Sequence, residues 1–413
     1  MIALNEKQEE ALQSTLGGEN ILVTGPGGTG KSEFLKEVKR HTARNSIQPT
    51  AWTASTGISA INIGATTLHQ WAGLGIHPKP ISKMLDDMRQ YRNKKKARDR
   101  ILHAHKLIID EISMISLETI QQIDELFRAV RKIDAPFGGI QVVFVGDFLQ
   151  LPPITQDGDP EFAFMADAWG EANIRTIEFN EIFRQKNSEF TEILNRIRKG
   201  DISQDVQEYL LDLMQQKPDK NNPPVILHSH NQAAQDMNEK RLASISGKTM
   251  RFHAKDEGPE SIRNQLDRNC IAPTTLGIKE DSRVMLLRNL DIDAGLINGS
   301  CGRIKKLDSE GPIVEFDNGR VRQIGPETWD IEEGGRTIAS RKQIPLRLAW
   351  AITVHKSQSM TLSSAQMNLY NSFEAGQVYT ALSRVKDPSG LFLTGIRFEK
   401  IRANPKALAF YGY

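Results

Sequence analysis

The chain has 413 residues, enough for two to three domains at roughly 150 residues each. Lys and Arg total 53 against 51 Asp and Glu. This excludes a uniformly basic nucleic-acid coat but leaves room for a local basic groove, because phosphate affinity follows patches. Apolar residues at 39% and charged residues at 25% exclude a disordered chain. No apolar run approaches the ~20 residues of a membrane helix. The opening MIALNEKQEE has no basic region ahead of an apolar stretch, so neither a membrane span nor a secretion signal is expected. Cys270 and Cys301, far apart, make neither a disulfide framework nor a zinc site; they read as two buried thiols in a reducing compartment.

In chain order, the first helix starts at the N-cap Asn5, with Gln8 three residues on in a capping-box position, and stops at Gly17-Gly18. NILVT (20–24) is a short β-rich run. Similar runs recur at TAWT (50–53), KLIID (106–110), IQVVFVG (140–146), IRTIEF (174–179), PVILH (224–228) and AWAITV (349–354). Helical patterns such as LETIQQIDELFRAVRKI (117–133) and FTEILNRIRKG (190–200) separate most of them. Strands alternating with helices predict an α/β fold with parallel sheets covered on both faces. Two stretches break the rhythm. Residues 76–105 are polar, and within 89–100 Arg89, Arg92, Lys94, Lys95, Lys96, Arg98 and Arg100 face the single acid Asp99. Residues 300–345 carry short runs punctuated by DSEGP and DNG, the pattern of hairpins in a small β-barrel.

Gly25-Pro26-Gly27-Gly28-Thr29-Gly30-Lys31-Ser32 fits G-x-x-x-x-G-K-[ST] and lies between a strand and the helical SEFLKEVKRH, the context that motif requires. The glycines let backbone N–H groups close around phosphate oxygens at a helix N-terminus. Lys31 suits the β- and γ-phosphates and Ser32 suits Mg²⁺. Asp110 and Glu111 end an apolar strand. Asp110 fits the Mg²⁺ shell and Glu111 fits polarising an attacking water; the competing reading is an N-cap pair for the next helix. Together these imply ATP with Mg²⁺, but a phosphate loop alone does not say what hydrolysis drives. No Asn-Lys-x-Asp guanine motif is present, and the chain is too long for a small-molecule kinase.

Five further segments decide the matter: TASTGISAINIGATTLH (53–69), VGDFLQLPP (145–153), EIFRQ (181–185), AWAITVHKSQ (349–358) and YTALSR (379–384). With the phosphate loop they run in one order, and the chain resembles the petite-integration-frequency (Pif) helicases of the RecD-like branch of superfamily one. The resemblance extends from residue 4 to residue 391. It implies two tandem RecA-like domains, 1–178 with a wedge insertion at 76–105, and 179–413 with an inserted barrel of the Src-homology-3 (SH3-like) kind at 300–345. It implies ATP-dependent 5′-to-3′ movement on single-stranded DNA and unwinding of tailed or forked duplex, coupled to closure of a cleft between the domains.

By the same resemblance, Gly25, Gly27, Gly28, Thr29, Gly30, Lys31 and Ser32 bind nucleotide, Ser32 and Asp110 hold Mg²⁺, and Lys31, Glu111, Gln150, Arg184 and Arg384 are catalytic. Arg184 and Arg384 are expected as fingers on the γ-phosphate, and Gln150 as its reporter; the alternative for each arginine is a surface ion pair. Gln8 has two readings, an adenine contact and the capping box. DNA contacts are expected at Thr56, Gly57, His69, His228, Asn231, Thr353, His355 and Lys356, against the plain alternative of hydrogen-bonded histidines near a core. Trp71 either stacks on a base or fills an interface. The basic run 89–100 either grips DNA from the wedge or is a solvated helix face. The barrel is expected to grip the strand, with peptide binding as a lesser role.

Two departures from the family pattern stand out: Ser359 where glycine usually follows HKSQ, and Asp281-Ser282-Arg283 in place of a smaller, more apolar pattern. No carboxylate cluster outside the ATP site suggests a nuclease. Two alternatives of other kinds stay open, a translocase that strips proteins with little unwinding and a non-enzymatic strand-binding scaffold. The expectation is a near-minimal motor, cytoplasmic and bacterial or phage-encoded, for which a monomer suffices. Other replication or repair proteins are conceivable partners, and no membrane is.

Overall fold

The computed structural model describes residues 4–45, 49–74, 79–153, 159–219, 223–228, 231–291, 294–333, 336–358 and 360–413. The chain divides into two compact units: residues 1–182 with 330–338, and residues 183–329 with 339–413.

The first unit opens with α1 (Glu6–Gly17), capped by Asn5 in a reciprocal capping box with Gln8 and ended by Gly18 at φ 90°. There follow β1 (Ile21–Thr24), α2 (Lys31–Asn45), β2 (Thr50–Ala54), α3 (Gly57–Asn62), β3 (Thr66–Thr67), α4 (Leu68–Ala72), α5 (Ile81–Gln90), α6 (Arg92–His103), β4 (Lys106–Asp110), α7 (Leu117–Arg131), β5 (Gln141–Val145), α8 (Asp167–Glu171) and β6 (Arg175–Glu178). The six strands form one parallel sheet in the order β3-β2-β4-β5-β1-β6. β1 is buried along its whole length, as a strand with helices on both faces must be. Ala11, Leu12, Phe34, Leu35 and Val38 of α1 and α2 pack over Ile21, Val23, Ile108, Val143 and Val145. α7 carries a helical stripe of Ile120, Ile123, Phe127 and Val130. The expected wedge region contains a helical pair, α5 and α6, joined at Tyr91; residues 76–78 lie outside the described residues.

The second unit continues with α9 (Ser188–Arg198), α10 (Gln204–Met214), β7 (Val225–His228), α11 (Asn231–Ser244), β8 (Met250–His253), β9 (Lys255–Glu257), α12 (Glu260–Asn269), β10 (Thr275–Ile278), β11 (Arg283–Leu286), β12 (Cys301–Lys306), β13 (Ile313–Phe316) and β14 (Val321–Gln323). Next along the chain are β15 (Glu327–Glu333) and β16 (Arg336–Gln343), whose residues within 330–338 group with the first unit, then β17 (Leu346–Leu348), β18 (Ala351–Thr353), α13 (Val354–Ser357), β19 (Ala365–Asn368), α14 (Gln377–Leu382), β20 (Leu391–Gly395) and α15 (Pro405–Tyr411). Its parallel sheet runs β18-β7-β19-β20. The α/β reading with two parallel sheets therefore stands.

The inserted β-structure differs from the expected 300–345 segment. β12, β13 and β14 form the anticipated meander, turning at Asn318-Gly319 with Gly319 at φ 79°. The same antiparallel sheet, however, runs β14-β13-β12-β11-β17, with strands on both sides of that segment. Its core takes in Leu276, Ile278, Val284 and Leu286 upstream and Leu346 downstream. Tertiary pairing recruits these strands because alternate residues of β12 and β13 need a second apolar layer, which local turn signals do not reveal.

Asp281-Ser282-Arg283 also finds its reason here. Asp281 takes a left-handed turn at φ 66°. Buried Arg283 reaches across the sheet to Asp317 in a two-pronged ion pair of 2.5 and 2.6 Å. Cys301 is buried and Cys270 only half-buried, so the expectation of two buried thiols is corrected for Cys270; burial pushes their thiols up to about 12 and about 11. Among the described residues no helix is long and apolar enough to cross a membrane.

Removing one partner of a buried pair strands the other's charge. Asp317→Ala should therefore lower unfolding stability by about 3 kcal/mol, read as a lower urea midpoint at unchanged slope.

Candidate functional site

Parallel register carries the chemistry of the first unit to one edge. Val23 of β1 pairs with Val145 of β5, and Val145 with Asp110 of β4, so the three central strands end together. The phosphate loop leaves β1 there, the Asp110–Glu111 pair leaves β4, and Gly146-Asp147 leaves β5. Gly146 N–H donates to Val23 O at 3.1 Å, and Phe179 N–H to Thr24 O at 2.8 Å, which ties the departing chains to the edge.

The loop is shaped by backbone that only glycine adopts freely. Gly25 sits at φ 134°, and a Cβ there would meet Phe179 O at 2.2 Å. Thr29 Oγ1 donates to Pro26 O at 3.0 Å and closes the turn. Lys31 opens α2 and donates through Nζ to Gly25 O at 2.6 Å and Pro26 O at 2.9 Å. The ammonium is thereby held against the concave side of its own loop. Ser32 occupies the next helical position, at the positive end of the helix dipole. Of the two sequence readings of Gln8, the structure shows the capping box. Its side chain completes the capping box of α1, and its Nε2 donates to Thr29 O at 3.2 Å, which couples α1 to the loop.

Asp110 and Glu111 are not a capping pair. Glu111 adopts a left-handed conformation, φ 53° and ψ 48°, and makes no side-chain cap hydrogen bond to the short helix that follows. A non-glycine residue held there costs about 1 kcal/mol or more and marks a position fixed by its surroundings. Burial raises the Asp110 carboxyl above the ordinary carboxylate range and the neighbouring Glu111 charge adds to it; the Glu111 N–H and Lys31 oppose the shift. A buried carboxyl of raised proton affinity beside a second acid is a donor set that suits a hard divalent cation with oxygen preference. Gln150, buried after β5, places its Nε2 3.4 Å from Asp147 Oδ2.

Thr56 and Gly57 begin α3 just past β2, and Ala54 pairs with Thr67, two residues before His69. Thr56 Oγ1 accepts from Ser59 N–H at 3.2 Å, an N-cap role. His69 is half-buried, and desolvation lowers its pKa. Trp71 is buried edge-to-face on Phe127, with ring centroids 5.8 Å apart, so of its two readings the packing one holds. The basic run is divided. Lys94 donates to Gly73 O, and Arg100 to Trp71 O and Gln70 O at 2.9 Å each, so both cap the C-terminal end of α4. Lys95, Lys96 and Arg98 are exposed, and Arg89 pairs with Asp86 at 3.1 Å.

In the second unit the two candidate fingers converge. Arg184 donates to Thr361 Oγ1 at 3.1 Å and to Ser383 O at 3.0 Å. Arg384, 3% exposed, donates to Thr380 O and to Ser383 Oγ, each at 2.9 Å. Arg384 is thus buried, and Arg184 half-buried. The DNA candidates assemble as well: Thr353 of β18 lies in register with His228 of β7, with Asn231 opening α11 and His355 and Lys356 on α13. The side chains of Asn231 and His355, and Ser359 altogether, lie outside the described residues. Sequence reasoning missed Asp147, which is fully buried and accepts from Leu149 N–H at 3.1 Å. Its place directly after Gly146 at the end of an apolar run was the available signal.

Residues 3–208 match the family described as PIF1-like helicase, and residues 261–307 match the 2B domain of DNA helicase Pif1. The chain is 36% identical to the human ATP-dependent DNA helicase PIF1 over 99% of its length and 63% of that protein's. It is 34% identical to the Pif1 of Psychrobacter sp., covering 97% of this chain and 69% of the relative. A Bacteroides Pif1 helicase solved in complex with ADP-AlF3 and single-stranded DNA superposes with a TM-score of 0.67 at 29% identity, covering 100% and 97% of the two chains. The chain thus spans about 63% of the length of the human protein it matches.

Gly25→Ala forces a Cβ against the Phe179 carbonyl. Chemical denaturation should show a loss of about 1–3 kcal/mol, with binding of a fluorescent ATP analogue lost in the variant that remains folded.

Proposed function

The chain belongs to the PIF1-like helicase family, and from that premise we propose that it is an ATP-dependent DNA helicase that moves 5′ to 3′ along single-stranded DNA and opens tailed or forked duplex. The observation that carries the reading is the shared edge in the first unit, where the phosphate loop, Asp110–Glu111 and Asp147–Gln150 leave three adjacent strands that end in register.

Each group then has a task. Backbone N–H groups of residues 25–30 enclose the triphosphate, and Lys31 transfers its hydrogen bonds from loop carbonyls to phosphate oxygens. Asp110 and Ser32 would hold Mg²⁺, which supplies charge neutralisation at the phosphates when bound. Glu111, held rigidly by its left-handed backbone, orients and polarises the attacking water. Gln150 reports the γ-phosphate, and Gln8, anchored to Thr29, reads adenine.

The finer step of the proposal is that Arg184 and Arg384 act as fingers on the transferring phosphoryl group, so that turnover is coupled to closure and reopening of two RecA-like halves. Their convergence on Ser383 supports it, because one small movement of that residue carries both guanidinium groups. Thr56, Gly57 and His69 of one unit, and His228, Asn231, Thr353, His355 and Lys356 of the other, form the strand track. Tight and loose grips alternating along it advance the strand against stacking of about 1.4 kcal/mol per base-pair step. Lys95, Lys96 and Arg98 supply the exposed charge of the wedge. The domain limits proposed are 1–178 and 179–413. The inserted SH3-like barrel is proposed for 300–345 together with its flanking strands. A cytoplasmic setting, bacterial or phage-encoded, and partners among replication or repair proteins go with this reading.

ATPase measured with and without oligothymidylate should rise at least tenfold with DNA, and a strand-displacement gel should show opening of 5′-tailed but not 3′-tailed duplex. Stimulation without displacement identifies a protein-stripping translocase; no stimulation removes the motor reading. Lys31→Ala should abolish turnover with the circular-dichroism spectrum unchanged. Arg384→Lys, which keeps the charge and loses the planar fork, should lower kcat by about 10³-fold.

A further inference from the structure

Buried arginines in this protein are partnered almost as a rule. Arg283 holds Asp317, and Arg341 holds Asp256 and Asp267 together with the carbonyls of Leu266 and Ala272. Arg347, half-buried, has no such partner among the described residues. It stands on β17 beside a cavity of about 260 Å³ that it lines with Lys356, Thr353, Gln235, Leu276 and Ile352. Among the described residues neither its guanidinium nor the Lys356 ammonium makes a hydrogen bond or ion pair. Two cations are thus set into one cavity without a counter-charge of their own. Glu239 on the rim accepts from Gln235 Nε2 at 2.9 Å. Asn238, also at the wall, is committed to the backbone of Trp350 and Ala351.

Leaving such groups unpaired is costly. Desolvation lowers the proton affinity of both, and the charge of Arg347 lowers that of Lys356 further. A site kept at that cost fits a ligand that brings negative charge and several acceptor oxygens. The planar fork of Arg347 suits two oxygens of one phosphate, and Lys356 suits a third as a point charge. The apolar wall of Leu276, Leu348 and Ile352 leaves room beside it for a sugar or base edge.

We propose that this cavity seats one backbone phosphate of the DNA strand and that Arg347 is a strand-binding residue. The assignment rests on the preceding reading, because Thr353 and Lys356, which line the cavity, belong to the proposed track. The shared chemistry is a phosphate group, and the strand is favoured over a free ion because the cavity is continuous with that track.

The experiment uses the full chain, with Arg347→Met and Arg347→Lys, and a labelled 16-nucleotide oligothymidylate titrated at several salt concentrations. Arg347→Met should weaken binding about tenfold and reduce the salt slope by about 0.7. Arg347→Lys should keep the slope and lose part of the affinity. Removal of an unpaired enclosed charge should leave the thermal midpoint of Arg347→Met without DNA unchanged or raised, which a structural arginine would not do. Unchanged affinity and slope in Arg347→Met, while the wild type binds, overturns the proposal and leaves the motor reading intact. A lowered midpoint in both variants also overturns it. A wild type that does not bind the oligonucleotide removes the underlying reading as well. In a parallel arm, a midpoint raised by inorganic phosphate in the wild type but not in Arg347→Met, with oligonucleotide binding equal in both, assigns the cavity to a free phosphate and overturns the strand assignment.

Discussion

Parallel pairing of β4, β5 and β1 sets where chemistry can occur in the first unit. Asp110, Val145 and Val23 share one level of the sheet, so the three segments that follow them leave from a common edge. Parallel strands demand helical crossovers, and those bury both faces of the sheet. Only the edge is left for polar groups. The loop glycines, the carboxyl pair and Asp147 are there because the sheet admits them nowhere else.

Electrostatics and strain share the work at that edge. The Lys31 ammonium is satisfied by Gly25 and Pro26 carbonyls, so it carries no unpaired charge into the fold. Asp110 is the reverse, an acid placed beside Glu111 where burial is unfavourable for its charge. The left-handed backbone of Glu111 adds a small conformational cost. That cost is concentrated on a few residues of a sheet that is otherwise regular.

The second unit handles its arginines in three ways. Arg283 and Arg341 close ion pairs within antiparallel sheets and serve the fold. Arg184 and Arg384 both donate to neutral oxygens, those of Thr361, Thr380 and Ser383. Arg347 has no anion among the described residues. Which partner each arginine is given is something a one-dimensional reading does not contain.

Much was legible in the residues themselves. The capping box at Asn5 and Gln8, the phosphate loop and the central strands all depend on contacts within a few positions, where local stereochemistry decides. The two-sheet α/β plan followed from alternation, and the order of the motifs pointed to the family. Tertiary structure alone decided the rest. Trp71 became core because Phe127 of α7 lies against it, and Lys94 and Arg100 became caps because α6 packs on α4. The antiparallel sheet drew in β11 and β17, and Arg283 found Asp317 34 residues away. Short-range steric and capping rules act on neighbours and so are written along the chain. Burial and charge pairing act on whatever the fold brings close, and that is known only once the strands have chosen their partners.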